Sequence, residues 1–131
     1  MTDDPQEVLF AKGLDVRKEV LGADYVEKSI AGADDFTRTM AEWSTAYCWG
    51  ALWTRPGFDR RSRSIVNLAM IAALNRPHEL KLHVKAALQN GLTKDEIKEI
   101  FLQVAVYAGV PAGIDSFRIA REAFKEVDGE A

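Results

Sequence analysis

The sequence predicts an all-α fold of six to seven helices with short connections, and three observations carry that prediction. Apolar residues recur at helical spacing, glycine and proline fall at the breaks between the periodic runs, and no segment alternates apolar and polar residues as a strand would. At 131 residues the chain has room for a single domain over residues 1–131 and little for two separate cores.

The first helix is expected from about Pro5 to Leu21, with Val8, Leu9, Leu14, Val16 and Val20 as its buried positions and Gly22 ending it. A short segment, Asp24–Ile30, leads to Gly32, after which Asp34 or Asp35 can cap the next helix. That helix should run to about Trp53 and carry Phe36, Met40, Trp43 and Tyr47 on one stripe. Pro56 cannot continue a helix, so Trp53–Gly57 must turn. Asp59 then caps a helix to about Leu74 that is apolar around most of its circumference and is expected to be buried on all sides. Pro77 opens the next helix and Gly91 follows its end. Thr93 and Glu96 form a capping box, with Ile97, Ile100, Phe101 and Val104 facing inward. Gly109 stops that helix, and Pro111 opens the last one, to about Val127.

Apolar residues at 47% and charged residues at 28% are the balance of a globular chain, and a net charge of −3 argues against general nucleic-acid binding. The apolar run Ile65–Leu74 is interrupted by Asn67 and is too short to span a bilayer, so no membrane partner is expected. Met1–Gln6 is polar and lacks the apolar run of a signal peptide, so a cytoplasmic location is expected. Cys48 is the single cysteine, which excludes an intrachain disulfide and any Cys-x-x-Cys motif. So much apolar and aromatic area on a small chain points to a homo-oligomer.

Three groups of residues could carry chemistry. In Arg76-Pro-His-Glu-Leu-Lys-Leu-His83, Glu79 and His83 are four apart and share a helical face. A carboxylate there favours the charged imidazole and orients it as a proton donor near neutral pH. His78 lies about 140° round the helix from His83, so the string is not the zinc-binding His-Glu-x-x-His, and no metal site is expected. The plain alternative is a His83 satisfied by Glu79 with His78 exposed. The arginines Arg55, Arg60, Arg61 and Arg63 surround a helix N-terminus, where cations oppose the macrodipole unless an anion joins them. A solvated rim, or ion pairs with another subunit, is the alternative there. Tyr47, Trp49 and Trp53, with Trp43, form an aromatic group suited to a core, an interface or a ligand wall. Cys48 lies among them and reads as a small hydrophobe rather than a nucleophile.

Three strings, Tyr47-Cys-Trp-Gly-Ala-Leu-Trp-Thr-Arg-Pro-Gly-Phe-Asp-Arg-Arg-Ser-Arg63, His83-Val-Lys-Ala-Ala-Leu-Gln-Asn-Gly91 and Gln103-Val-Ala-Val-Tyr-Ala-Gly-Val-Pro-Ala112, resemble the 4-carboxymuconolactone decarboxylase family over about residues 35–125. The resemblance implies an alkylhydroperoxidase D-like helical fold assembled as a homo-oligomer, in a hexameric arrangement of dimers or trimers. It implies conversion of 4-carboxymuconolactone to β-ketoadipate enol-lactone and carbon dioxide, in protocatechuate breakdown, with no cofactor. Thiol peroxidases of the superfamily carry two cysteines ahead of the histidine that His83 matches. Arg76 and Glu79 stand at those two positions here, which argues against disulfide cycling.

For such a small anionic lactone the residues divide by role. His83, oriented by Glu79, is the expected proton donor, with His78 as the alternative. Arg55, Arg61 and Arg63 are expected to bind carboxylates, and Tyr47, Trp49 and Trp53 to wall the pocket. Another small anionic lactone, a non-catalytic binding oligomer, or a thiol antioxidant role for Cys48 are the competing readings.

Overall fold

The computed structural model describes residues 2–129, so residues 1, 130 and 131 of the expected domain lie outside the described residues. Seven α-helices and one π-helical segment make up the described chain, which divides into two compact units, Met1–Phe58 and Asp59–Ala131. The all-α expectation is met.

In the first unit α1 spans Pro5–Leu21, α2 Ala23–Ala31 and α3 Asp35–Ser44, followed by the π-helical segment Thr45–Leu52. Asp4 and Asp34 cap α1 and α3; the Asp34 carboxylate accepts the backbone N–H of Thr37 at 2.8 Å. That bond, with the Thr37 hydroxyl, holds the Asp34 carboxyl below its usual range. The single helix expected from Asp35 to Trp53 is corrected at Thr45, where the hydrogen bonding widens to i→i+5, as in Trp53 N–H to the Cys48 carbonyl at 3.0 Å. Helix α1 crosses the chain closely at this same segment. A methyl group on Gly13 would collide with the Thr45 carbonyl, and one on Gly50 with the Leu9 carbonyl. Helix α1 and the π segment therefore touch backbone to backbone, at the two positions without side chains. Val16 and Val20 are buried as expected; Val8 is exposed, because it lies on the other side of α1 from Gly13 and Val20.

The second unit contains α4 (Arg60–Ala73), α5 (Pro77–Gln89), α6 (Lys94–Ala108) and α7 (Val110–Asp128). Helix α4 packs on α5 and α6, and α7 packs on both of those. Their shared core is Leu68, Leu80, Val84, Ile97, Phe101 and Val104, closed by Ala120 and Ala123. Each large side chain buried there contributes about 1.5–3 kcal/mol. Asp59 and Thr93 cap α4 and α6 as their types require, with Thr93 and Glu96 forming the reciprocal box. Asn75, at φ 58°, makes the turn between α4 and α5, a conformation asparagine tolerates. Helix α4 is not wrapped on every side: Ser64, Leu68 and Ala72 are buried, whereas Val66, Met70 and Leu74 are exposed, Leu74 by 63%.

Candidate active site

The residues singled out in the sequence fall into two groups, one in each unit. In the second unit, α5 places His83 on its buried side beside Leu80, Val84 and Ala87, and the ring is 8% exposed. Glu79, one turn earlier, and His78 are exposed. Burial pushes the His83 ring below its ordinary value of 6.5, and the negative charge of Glu79 opposes that only in part. The resting imidazole is thus neutral at pH 7.

Seven residues beyond His83, and so on the same face of α5, Asn90 donates from Nδ2 to the buried Ser64 Oγ at 2.9 Å. This bond fastens the far end of α5 to α4. Sequence periodicity does not single out the pair; its one signal is a polar residue, Ser64, among the core positions of an otherwise apolar helix.

The arginine group is sorted by the same packing. At the N-terminus of α4 the Asp59 carboxylate accepts the Ser62 N–H at 2.7 Å, so the anion suited to that helix end is supplied by the chain itself. Arg61, an expected carboxylate ligand, forms a half-exposed ion pair with Glu96 of α6. Arg63 is half-buried, one turn into a helix that packs directly on α5, and Arg60 is exposed. Two surface grooves of this unit use other residues. One of about 600 Å³ between α6 and α7 has a floor of Ile97, Phe101, Phe117 and Phe124; one of about 530 Å³ between α4 and α6 is lined by Ile65, Met70, Val104 and Tyr107. His83, Glu79 and Arg63 line neither.

In the first unit Trp49 and Trp53 are buried and stacked, with ring centroids 4.9 Å apart and planes at 29°. Tyr47 is half-buried against Trp43 at 4.5 Å, and Arg55 is exposed in the turn that follows. The expected stripe of α3 is open: Phe36 is 88% exposed, and Met40 and Trp43 are also exposed. Arg17, to which the helical pattern assigns no role, is buried. Its Nη1 donates to Thr45 Oγ1 and its Nη2 to Ser29 Oγ, each at 3.3 Å. Burial raises the Cys48 thiol above its ordinary value of 9.0, with Arg17 opposing, so the sulfur is protonated at neutral pH. That suits a small apolar filler rather than a nucleophile.

An all-helical chain with a buried imidazole, a neighbouring carboxylate and a sheltered guanidinium on packed helices has the parts for proton transfer to a small anion. The pattern of the Carboxymuconolactone decarboxylase family matches residues 38–122, and the chain belongs to that family. Within it the chain is a decarboxylase, as two relatives indicate. It is 40% identical to the 4-carboxymuconolactone decarboxylase of Acinetobacter baylyi, over 92% of this chain and 90% of that one. It is 39% identical to the nitrosuccinic acid decarboxylase of Metarhizium robertsii, over 95% of this chain and 87% of that one. An uncharacterized 15.0 kDa protein of Paracoccus denitrificans matches 63% of each chain at 33% identity.

Proposed function

We propose that this chain decarboxylates 4-carboxymuconolactone, giving β-ketoadipate enol-lactone and carbon dioxide. The observation that carries the reading is the 40% identity to a decarboxylase of that substrate over nearly the full length of both chains. The family match runs from residue 38 to residue 122, through both compact units, and supports their working as one domain.

The substrate does much of the chemistry. Breaking the bond to the leaving carboxylate sends its electron pair through the ring double bond to the lactone carbonyl oxygen, so no cofactor is required as an electron sink. The protein must hold the dianion, stabilise the oxyanion and return one proton to the carbon next to the carbonyl. His83 is the proton carrier. It is neutral in the free enzyme, and a dianion bound beside it favours its charged form, so the ring takes up a proton on binding and delivers it after carbon dioxide leaves. Glu79 orients the ring and adds to that tendency. Arg63 binds a carboxylate, a role its shelter on α4 supports. Positioned acid catalysis of this kind contributes about 10²–10⁴ in rate.

The enzyme works as a homo-oligomer in the cytoplasm. The exposed apolar side chains Phe36, Met40 and Trp43 of α3, and Val106 and Tyr107 of α6, support assembly, since isolated monomers seldom leave such patches open. No helix among the described residues is long and apolar enough to cross a membrane. A second reading, decarboxylation of nitrosuccinate, is favoured by the 39% identity to an enzyme of that name. Supplying each compound to the purified chain and following carbon dioxide release decides between them. Release from neither would overturn the assignment.

A further inference from the structure

Helix α3 contains no buried residue, and its apolar stripe of Phe36, Met40 and Trp43 stands open. A helix of ten residues is marginal in water unless another surface covers its apolar side. Asp35 and Glu42 precede Phe36 and Trp43 by one position each, so two carboxylates run along one edge of the stripe. From Asp34 to Ser44 the chain carries three acidic side chains and one basic, Arg38.

The groove between α6 and α7 has the opposite character. Its floor is aromatic and aliphatic, and Ile114 and Phe117 are exposed in it. Along it stand four cations, Lys94, Lys98, Arg118 and Arg121, against one acid, Asp95. Lys98 and Arg118 hold Asp95 and Asp115 in exposed pairs three residues apart, which are weak and exchange readily. The lining residues of α6 run from Lys94 to Phe101, about 10 Å along the helix, which is also the distance from Phe36 to Trp43 on α3. The groove between α4 and α6 is lined by no charged side chain and offers nothing to the acids of α3.

Charge also decides which pairing of surfaces fits. Residues 1–58 carry ten acidic and six basic side chains, and residues 59–131 carry ten and eleven. Stripe against stripe would bring two acidic units together, whereas stripe against groove joins unlike charges. The three stripe residues offer on the order of 500 Å² of apolar surface, short of the roughly 800 Å² per partner of a stable interface. Each copy presents both a stripe and a groove, so a two-fold pair makes the contact twice and passes that mark.

We propose that α3 of one copy lies in the α6–α7 groove of a second copy, with Phe36, Met40 and Trp43 on its apolar floor, and that the second copy returns the contact. The inference rests on the oligomeric reading above and specifies its interface.

The test reverses charge on each side. Asp35→Lys with Glu42→Lys reverses the edge of the stripe, and Lys98→Glu with Arg118→Glu reverses the groove. All four positions are exposed, and circular dichroism checks that the helices stand. Each double variant alone sets like charges together, so its dissociation constant should rise by about 10-fold or more, read by light scattering over a dilution series. Mixed one to one, the two variants meet with unlike charges in both contacts, and the wild-type mass should return. Asp15→Lys with Asp24→Lys makes the same change of net charge on α1 and α2; it should keep the wild-type mass and should not rescue the groove variant. A groove variant or a stripe variant that keeps the wild-type mass would overturn the pairing, as would two folded variants that fail to recombine. Rescue by the α1 and α2 control would overturn it too, since net charge alone would then explain recovery. A wild-type chain that is monomeric throughout the series would overturn the oligomeric reading and the inference with it. Carbon dioxide release from the same samples keeps the decarboxylase reading separate.

Discussion

Glu96 joins two helices through its two carboxylate oxygens: Oε1 accepts the Thr93 N–H at 3.0 Å to close the capping box of α6, and Oε2 pairs with Arg61 of α4. One side chain thus completes a helix end and ties it to a neighbouring helix. Arg61 belongs to this tie, and its guanidinium is committed before any ligand arrives.

Arg61 and Arg63, two residues apart, should therefore behave differently on substitution. Arg61→Ala is expected to keep kcat/KM within about threefold of wild type, and its coupling to Glu96 in a double-mutant cycle should be under about 1 kcal/mol, as for partly exposed pairs. Arg63→Ala should lose about 30-fold or more in kcat/KM, the effect of removing one partner from a sheltered charge pair. Steady-state kinetics and urea unfolding of the variants check both statements. Equal losses of activity would remove the distinction.

The pH dependence follows from the burial of His83. The protonated free enzyme and the dianion form the productive complex, so kcat/KM should already be falling at pH 6.5, the ring's ordinary value, and the fall should approach about tenfold per pH unit at higher pH. In the complex the dianion raises the ring's pKa, so kcat should stay level to higher pH. Glu79→Gln removes the charge that opposes desolvation and should move the kcat/KM limb to still lower pH. Coincident kcat and kcat/KM profiles would contradict proton uptake on binding.

The same burial has a consequence for stability. With a depressed folded-state pKa, His83 binds fewer protons folded than unfolded below pH 6.5, so its contribution falls as the pH drops through that region. Thermal unfolding of wild type and His83→Gln should show a gap in Tm that shifts against wild type between pH 7 and pH 5. A gap independent of pH would mean that the ring titrates alike in both states.

Gly13→Ala and Gly50→Ala each force a methyl group into a backbone carbonyl of the facing segment. Each should destabilise the first unit by about 3 kcal/mol or more, the upper range for overpacking. The fluorescence of the buried pair Trp49 and Trp53 reports it directly, and a variant as stable as wild type would show that the close crossing is dispensable.

The open stripe of α3 predicts assembly. Phe36→Glu together with Met40→Glu should lower the mass measured by light scattering while leaving the helical circular dichroism unchanged. An unaltered mass would place the contact between copies elsewhere.

Helix ends were decided by the chain's local chemistry. Asp34, Asp59 and Thr93 cap because their side chains reach backbone N–H groups two or three residues away, and Pro77, Gly91 and Gly109 start or stop helices through their own dihedral preferences. The three strings that mark the family, and the shared face of Glu79 and His83, are equally contained in residue order. Partners distant in sequence decided the rest. The π segment exists where α1 crosses it at Gly13 and Gly50, residues 37 positions apart. Arg61 meets Glu96 from a different helix, and His83 is neutral because Leu80, Val84 and their neighbours shield it, although the adjacent carboxylate alone would favour its charge. Hydrogen bonds at helix ends act over a few residues, whereas desolvation and ion pairing depend on which surfaces the folded chain brings together.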